Sequence, residues 1–254
     1  TTMKNILITG AASGIGKAIA IFFKRKGWQV GLLDKDGQAL QALSVQLSGA
    51  WFKALDVTDY DAVQDAVSDF ALLNRGKLNA LFNCAGVLHM GCFEKLSPQQ
   101  HQQTFAINVE GLSNVVYAAF PFLRDTPRAR VINMSSAAAV YGTPHLASYS
   151  ASKFAVRGLT EALNLEWRAY DIWVCDLMPA FVKTPSTIQV VVAPVVQRLG
   201  VDLIAEDIAL AAWNTINSYK VHHTVGLPFK ALMLINRFVP NKITRRMMDL
   251  LSRE

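Results

Sequence analysis

The chain has 254 residues, of which 52% are hydrophobic and 17% are charged, and its formal net charge is +6. This length suits one large α/β domain or at most two small ones, and the apolar content excludes a chain that is disordered throughout. The basic residues are dispersed apart from a modest cluster at Lys242, Arg245 and Arg246, and no nucleic-acid-binding motif is present, so we expect no nucleic-acid partner. The positive charge instead suits an anionic ligand or an acidic surface.

The cysteines, Cys84, Cys92 and Cys175, are odd in number and lack metal-ligand spacing. They predict reduced thiols, no metal site and a cytoplasmic location. The chain enters a strand-like run, KNILITG, with no signal-peptide pattern before it, and no apolar run reaches the length of about 18 residues that a membrane span needs.

Short apolar runs predict β-strands at NILIT (5–9), QVGLLD (29–34), WFKALDV (51–57), LNALFN (78–83), ARVINMS (129–135) and IWVCDLM (172–178). Segments with helical spacing lie between or after them, at 15–26, 38–47, 59–73, 98–123 and 148–170. Strands that are apolar throughout are buried on both faces, which indicates parallel strands covered by helices. We therefore expect an α/β fold, a doubly wound parallel sheet (Rossmann fold) with helices on both faces, in a single domain spanning 1–254.

The alternation of strand and helix weakens after Met178. We expect residues 185–254 to form a substrate lid and C-terminal helices within the same domain, with one helix at 205–219. The best candidate for a last strand is TVGLP at 224–228, and His222 and His223 are expected at the surface.

The first predicted strand ends in TGAASGIG, residues 9–16. Gly10 permits a sharp turn, and Gly14 and Gly16 let a pyrophosphate and a packed strand come close to the backbone. The helix that follows offers free N–H groups to an anion, so Ser13 and Ile15 join the glycines as predicted cofactor contacts. The spacing G-x-x-x-G-x-G differs from the general dinucleotide fingerprint, and a tight strand-to-helix turn is the alternative.

Asp34 ends the second predicted strand, 24 residues after Gly10. A carboxylate there can accept hydrogen bonds from ribose hydroxyls and repels a 2′-phosphate, which favours NAD over NADP. Lys35 is a conflicting signal because its cation partly offsets Asp34. The alternative for Asp34 is a turn or helix-cap residue.

Further predicted cofactor contacts follow two more strands. Asp56 and Val57 end the third strand, where Asp56 could reach an adenine edge. Asn83, Ala85 and Gly86 end the fourth, where small residues let a cofactor lie against backbone. Taken singly, each is better explained as an ordinary strand end.

The segment ASYSASKFAV places Tyr149 and Lys153 four residues apart, on one face of a predicted helix. A phenol beside an ammonium is either an accidental pair at a helix start or a device for proton transfer. An unperturbed tyrosine titrates near pH 10, about three units too high for a base at neutral pH. We expect the Lys153 ammonium and the positive ring of an oxidised nicotinamide to lower the pKa of Tyr149.

These motifs together resemble the short-chain dehydrogenase/reductase family, in its single-domain form. The matches are TGAASGIG, Asp56-Val57, NCAG at 83–86, Asn108, Ser136, YSASK at 149–153 and PAFVKT at 179–184, in family order over most of residues 4–184. Two positions depart from the family pattern: Cys84 stands where Asn or a small residue is usual, and Ala180 stands where Gly is usual.

The resemblance implies a role for each matching position. Tyr149 is the expected general acid/base, Ser136 binds the reacting oxygen, and Lys153 binds the nicotinamide ribose and favours the phenolate. Asn108 is expected to hold a water that links Lys153 to solvent. Expected further cofactor contacts are Pro179, Val182 and Thr184, in a loop over the nicotinamide.

The implied reaction is hydride transfer between NAD and a secondary alcohol or ketone, in a homodimer or homotetramer. The expected pocket walls at 86–94, 137–146 and 181–204 are largely apolar, so we expect a hydrophobic small-molecule substrate. Two alternatives remain: a non-catalytic dinucleotide sensor or scaffold, and a membrane-peripheral lipid-alcohol dehydrogenase that uses the basic, apolar tail FKALMLINRFVPNKITRRMMDLL.

Overall fold

A computed structural model describes residues 3–183 and 203–226, together with Phe229 and Arg246. The strands are β1 (Asn5–Thr9), β2 (Gln29–Asp34), β3 (Trp51–Ala54), β4 (Ala80–Asn83), β5 (Ala129–Met134), β6 (Ile172–Pro179), β7 (Val182–Lys183), β8 (Leu203–Ile204) and β9 (His222–Val225). The α-helices are α1 (Gly14–Arg25), α2 (Gly37–Gln46), α3 (Tyr60–Leu73), α4 (Pro98–Phe105), α5 (Leu112–Arg124), α6 (Ala147–Glu166) and α7 (Ala205–Thr215).

Seven strands form a parallel sheet in the order β3-β2-β1-β4-β5-β6-β9. The order reverses direction between β1 and β4, which is the topological switch point where doubly wound sheets bind ligands. The predicted parallel sheet with helices on both faces, the Rossmann fold, is therefore confirmed. β7 and β8 form a separate two-stranded parallel pair.

Each face of the sheet packs on its own apolar layer. Ile6, Ile8, Leu32 and Phe82 meet helices α1, α2 and α7 on one face. Alternating residues of the same strands, including Leu7 and Leu81, meet α3, α5 and α6 on the other. Alternation along a strand sends successive side chains to opposite faces, and burial of both explains why these strands are apolar throughout.

The third strand is shorter and less buried than its sequence predicted. β3 ends at Ala54, and its Trp51, Phe52 and Lys53 are half-buried because the strand lies at the edge of the sheet. Asp56 and Val57 consequently lie in the loop after the strand.

The segment predicted as a helix at 98–123 is helical throughout but is not an α-helix along its whole length. A π-helical segment at Ala106–Gly111 separates α4 from α5 and contains Asn108. Such bulges shift the following side chains around the helix axis and occur often at functional sites. The apolar periodicity of 98–123 predicted one helix, because periodicity alone does not reveal a one-residue insertion.

The last strand of the sheet begins earlier than TVGLP suggested. β9 covers His222–Val225 and pairs with β6, and Gly226 follows with a φ of +102°. His222 and His223 therefore belong to a strand and are half-buried, which corrects their expected surface position.

Several other expectations fall on residues outside the described part of the chain. They are the lid at 185–202, the tail from 230 with the exception of Arg246, and the contact at Thr184. Within the described part, no helix combines the length and apolarity that crossing a bilayer requires.

Candidate active site

The turn between β1 and α1 depends on glycines. Gly10 has a φ of +66°, and a Cβ there would lie 2.8 Å from the backbone nitrogen of Ala85. A Cβ on Gly16 would lie 2.1 Å from the carbonyl oxygen of Gly10. The backbone of α1 thus begins directly against the ends of β1 and β4, and its N-terminal N–H groups face outward from the sheet edge.

A cavity of about 400 Å³ opens at the carboxyl ends of the strands, above this turn. Its lining includes the glycine-rich loop with Ser13 and Ile15, the ends of β2 and β4, the loop after β3, and part of α6. The lining residues are Gly10, Ser13, Gly14, Ile15, Gly16, Asp34, Lys35, Leu55, Asp56, Val57, Cys84, Ala85, Gly86, Val87, Leu88, Ile107, Met134, Tyr149 and Lys153. The structure therefore brings most of the sequence-predicted site residues to one cavity.

Asp34 is held in a fixed position at the end of β2. Its Oδ2 accepts a hydrogen bond from the Ala12 N–H at 3.0 Å, and its Oδ1 accepts one from the Asp36 N–H at 3.1 Å. The side chain therefore ties the glycine-rich loop to the start of α2 while lining the cavity. Each carboxylate oxygen retains a lone pair for a ligand hydroxyl.

Asp56 is ordered by its own loop. Its Oδ1 accepts hydrogen bonds from the Thr58 N–H at 2.9 Å and the Thr58 hydroxyl at 2.8 Å. The backbone and hydroxyl hydrogen bonds of Thr58 lower the pKa of the Asp56 carboxyl, so it is ionised at neutral pH.

The NCAG segment at 83–86 divides into a structural and a cavity-lining part. Asn83 is buried, its Nδ2 donates to Asn133 Oδ1 at 2.9 Å, and its side chain lies between strands and is absent from the cavity lining. The Thr9 hydroxyl accepts hydrogen bonds from the N–H groups of Cys84 and Ala85, at 3.0 and 3.1 Å. The cavity wall here consists of Cys84, Ala85 and Gly86, and burial raises the pKa of the Cys84 thiol to about 12, so it is not a thiolate.

Ser136, Tyr149 and Lys153 converge although they come from different elements. Ser136 precedes the 3₁₀ turn at Ala137–Ala139, and its Oγ accepts a hydrogen bond from the Ala138 N–H at 3.2 Å. The Ser136 side chain lies close enough to Tyr149, on the first turn of α6, to lower the pKa of the Tyr149 hydroxyl. The Lys153 Nζ lies 5.6 Å from the centre of the Tyr149 ring and donates to the Met134 carbonyl at 2.8 Å.

Taken together, the protein's own groups do not lower the pKa of Tyr149 as the sequence led us to expect. Removal from water raises the pKa of Tyr149, and the Ser136 hydrogen bond offsets only part of this rise. Burial also lowers the pKa of Lys153 to about 8. The same desolvation therefore disfavours both charged forms, the phenolate and the ammonium, and the positive ring of an oxidised nicotinamide is the remaining group expected to favour the phenolate.

The Asn108 side chain makes three hydrogen bonds and is almost completely buried. Its Oδ1 accepts from the Val87 N–H at 2.8 Å, and its Nδ2 donates to the Val87 carbonyl at 3.0 Å and to the Ser152 Oγ at 3.1 Å. Ser152 in turn donates to the Tyr149 carbonyl at 2.7 Å. The side chain thus ties the π segment to the loop after β4 and to α6, which leaves the Asn108 backbone for the water contact that the resemblance implied.

The remaining predicted cofactor contacts lie after β6. Pro179 ends β6 opposite Val225, and Val182 is buried in β7. Neither lines the cavity that the described residues form, and Thr184 lies outside those residues. Their contacts therefore stay predictions.

Two histidines, His145 and His101, connect the elements near Tyr149. His145 has a φ of +63°, its carbonyl accepts from the Gly91 N–H at 2.9 Å, and its Nδ1 lies 3.6 Å from Cys92 Sγ. The Nδ1 of His101 lies 2.7 Å from the Ser148 Oγ, next to Tyr149. The His145 contacts join the loop after β4 to the segment before α6, and the His101 contact joins α4 to α6.

Several residues of the site were not predicted from the sequence, namely the lining residues Leu55, Ile107 and Met134 and the linking residue Ser152. Met134 ends β5, so the rule that ligands bind at strand carboxyl ends was a usable signal for it. Ile107 and Ser152 depend on the π segment, for which the sequence offered no signal. The described residues contain no group of three or more His, Cys, Asp or Glu side chains arranged to hold a metal ion.

Comparisons with known proteins agree on the kind of protein. The family model for short chain dehydrogenases matches residues 4–193. A 2-keto-3-deoxy-L-fuconate dehydrogenase of Xanthomonas campestris is 35% identical over 91% of this chain and 72% of its own length. A D-threitol dehydrogenase of Mycolicibacterium smegmatis is 35% identical over 71% of both chains. A solved structure described as ElxO with NADP bound superposes with a TM-score of 0.80 at 21% identity, covering 90% of this chain and 99% of that one.

Proposed function

Because this chain belongs to the short-chain dehydrogenase family and is an NAD(P)-dependent oxidoreductase, we propose that it transfers a hydride between NAD(H) and a secondary alcohol or ketone, with Tyr149 as general acid/base. One observation carries the proposal. Tyr149 and Lys153 line the same cavity as the glycine-rich loop, and the Ser136 side chain lies next to Tyr149. A nicotinamide bound there supplies the hydride acceptor or donor.

The chain's own residues position and polarise the substrate. The Ser136 hydroxyl and the Tyr149 hydroxyl both face the reacting oxygen, and Tyr149 takes or returns its proton. Lys153 lines the cavity beside Tyr149, within reach of a nicotinamide ribose, and its ammonium would add to the positive ring of an oxidised nicotinamide, which is needed to offset the burial of the phenolate. The N-terminus of α1 and the Gly14–Gly16 backbone offer N–H groups to a pyrophosphate.

The central test is turnover with Tyr149→Phe. We expect kcat to fall by roughly 10²–10⁴-fold because the acid/base proton is lost. NADH binding, followed by nicotinamide fluorescence, should be retained. Tyr117→Phe, at a 72% exposed position on α5, is the matched control and should leave kcat unchanged. Full turnover by Tyr149→Phe would overturn the proposed mechanism.

For the cofactor, we propose NAD in preference to NADP. The Asp34 carboxylate lines the cavity at the end of β2 and is fixed there by two backbone N–H groups, so it repels a 2′-phosphate. Lys35 lines the same cavity and acts in the opposite direction. We expect kcat/KM to favour NAD by about tenfold or more, a free-energy difference of about 1.4 kcal/mol.

Two neighbouring variants, Asp34→Asn and Asp36→Asn, test whether the negative charge of Asp34 sets the preference for NAD. Asp34→Asn keeps an oxygen for the Ala12 N–H but removes the negative charge, so the NAD preference should shrink or reverse. Asp36→Asn removes a charge two residues away, from the side chain that caps α2 through the Ala39 N–H. It should leave the ratio of NAD to NADP turnover unchanged. Equal effects of the two variants would contradict the role given to Asp34.

For the substrate, we propose a hydrophobic secondary alcohol or ketone. Val87 and Leu88 line the cavity, and Phe93, which is 61% exposed, lies farther along the same loop in the 3₁₀ turn at Phe93–Lys95. The two relatives described above are named for a keto-deoxy sugar acid and a polyol, so a turnover screen must include sugar acids, polyols, aromatic alcohols and medium-chain ketones. Higher kcat/KM for sugar acids or polyols would overturn this part of the proposal alone.

We also propose a homodimer or homotetramer in a reducing compartment such as the cytoplasm. Support for assembly comes from exposed apolar side chains on α4, α5 and α6, among them Phe105, Tyr117 and Leu165. Support for the compartment comes from the cysteines, each of which is a free thiol. Light scattering that finds only monomer would contradict the first statement.

A further inference from the structure

A series of interacting charged side chains links β9, at the edge of the sheet, to the 3₁₀ turn at Ala137–Ala139 that follows Ser136. Asp176 on β6 is completely buried, and its Oδ2 lies 2.9 Å from Nδ1 of His222 on β9. Nε2 of His222 lies 2.9 Å from Oε1 of Glu161 on α6. Glu161 also pairs with Arg157 one turn earlier, at 2.9 Å.

Between two ionised carboxyl groups, the geometry requires His222 to be an imidazolium. Both ring nitrogens face carboxylate oxygens at hydrogen-bonding distance, and a carboxylate can only accept. A neutral imidazole has one N–H, so its second nitrogen would oppose a carboxylate lone pair at 2.9 Å. The positively charged form alone satisfies both contacts.

The buried carboxylate of Asp176 is the main partner of the His222 imidazolium. Within the described part of the chain, Oδ1 of Asp176 has no hydrogen-bond partner, so His222 is the main compensation for a carboxylate with no exposure to water. An uncompensated buried charge is strongly unfavourable, so the pair holds β9 against β6 most firmly while His222 is protonated. The hydrogen bond that His222 donates to Asp176 raises the pKa of His222.

At the other end of this series of side chains, Arg157 contacts the turn that follows Ser136. Arg157 donates to the carbonyl of Ala139, the last residue of that 3₁₀ turn, at 3.4 Å. Phe229, which follows β9 by four residues, is buried against Ala139 and Met178. The Ser136 turn is therefore contacted both from α6, through Arg157, and from the segment after β9, through Phe229.

We propose that His222 is a positioning residue. Its imidazolium binds β9 to both β6 and α6, and these contacts fix the Ser136 turn. This support is lost when the ring deprotonates as pH rises. The described charged and titratable groups around it are Asp176 from β6, Arg157 and Glu161 from α6, and His223 and Lys220 from its own segment. The consequence for turnover rests on the proposed function, whereas the consequence for titration and stability does not.

The direction of the pH effect follows from the raised pKa. A histidine whose pKa is higher in the folded than in the unfolded chain contributes stability fully below the unfolded value of about 6.5. That contribution disappears as pH rises through the folded value. The wild type should therefore lose thermal stability over this range relative to a variant that lacks the ring.

The first experiment is an NMR titration of the wild-type histidines, with His222 assigned by its absence in His222→Gln. We expect His222 to titrate above 6.5 and its pKa to fall in Asp176→Asn. His223, whose Nε2 contacts the Lys220 carbonyl at 3.0 Å and whose pKa is lowered by burial, should titrate below 6.5. A His222 that titrates at or below 6.5 would overturn the proposal without reference to any activity.

The second experiment compares His222→Gln with His223→Gln, the adjacent residue on the same strand. At pH 6, His222→Gln should lower Tm by roughly 3 °C or more and kcat by roughly threefold or more, and both differences from wild type should vanish well above the pKa of His222. His223→Gln should show the opposite dependence, because the lowered pKa of His223 makes the wild type gain stability relative to that variant as pH rises. Parallel behaviour of the two variants would refute the proposal.

Glu161→Gln provides a rescue that a merely structural role does not predict. The neutral side-chain amide of this variant can donate to the Nε2 of a neutral His222 while Nδ1–H still donates to Asp176, and its amide oxygen is left to accept from Arg157, so the links persist without the charge. The Glu161→Gln chain should therefore keep its low-pH Tm and kcat, relative to wild type, as pH rises past the wild-type transition. If Tm and kcat of Glu161→Gln change with pH as they do in the wild type, protonation of His222 does not control the contacts between β9, β6 and α6.

Discussion

Lys153 carries the positive charge on which the proposed proton transfer depends, and the fold buries that charge. Its side chain is 5% exposed, and its Nζ donates to the Met134 carbonyl. Burial lowers its pKa to about 8, from an unperturbed value near 10.5. A shift of this size corresponds to about 3 kcal/mol of destabilisation of the charged form. The site is thus arranged for chemistry at a cost in stability.

Lys153→Met should raise the stability of the chain at neutral pH and abolish turnover. Because the folded chain binds fewer protons than the unfolded chain between pH 8 and 10.5, the wild type gains stability as pH rises through that range, and the variant should lack this gain. Thermal unfolding between pH 7 and 10 measures both effects. A variant less stable than the wild type at pH 7 would show that the ammonium is well compensated where it lies.

Gly16 is a residue for which the absence of a Cβ is a steric requirement. Gly16→Ala would place a Cβ 2.1 Å from the Gly10 carbonyl, a clash with backbone that a rotamer change cannot relieve. We expect NADH affinity to fall by tenfold or more as the loop shifts. Gly158→Ala is the matched control, since nothing lies within 4 Å of its Cβ in the middle of α6. It should keep NADH affinity and add about 0.5–1 kcal/mol of stability; equal loss of affinity in both variants would contradict this role of Gly16.

At the scale of elements, hydrophobic pattern predicted the strands well because most of them are buried on both faces. β1 and β2 have the bounds that NILIT and QVGLLD suggested, whereas the edge strand β3 ends three residues early. The lining residues at strand ends were largely predictable for the same reason. The π segment and the hydrogen bonds of Asn108 were not, because they depend on how α4, α5 and α6 meet and not on local sequence.

Ser152 is the link between the π segment and α6, the helix that carries Tyr149 and Lys153. It accepts from Asn108, donates to the Tyr149 carbonyl and is completely buried. Ser152→Ala should cost about 1–3 kcal/mol, because an Asn108 N–H loses its buried acceptor, and should lower kcat by loosening the first turn of α6. Chemical denaturation and steady-state kinetics measure the two effects.

The control for Ser152 is Ser113→Ala on α5. Ser113 donates to the Val109 carbonyl at 2.8 Å, a similar bond to the preceding turn, and it is half-buried. Its loss should cost about 0.5 kcal/mol or less and leave kcat unchanged. Equal losses in the two variants would indicate that the bond to the helix backbone, and not the link to Asn108, accounts for the effect.

At the scale of the whole molecule, the proposed assembly explains apolar side chains that the described fold leaves in water. Phe154 on α6 is 43% exposed and Leu165 on the same helix is 63% exposed. Phe154→Asp with Leu165→Asp should convert the oligomer to monomer, because burying two carboxylates without partners in an interface is strongly unfavourable. Val45→Asp is the control, since Val45 is 76% exposed on α2, away from these helices, and should leave the mass unchanged in light scattering. Because Tyr149 and Lys153 lie on the same helix as Phe154, a monomer that keeps its turnover would further show that each subunit completes its own catalytic group.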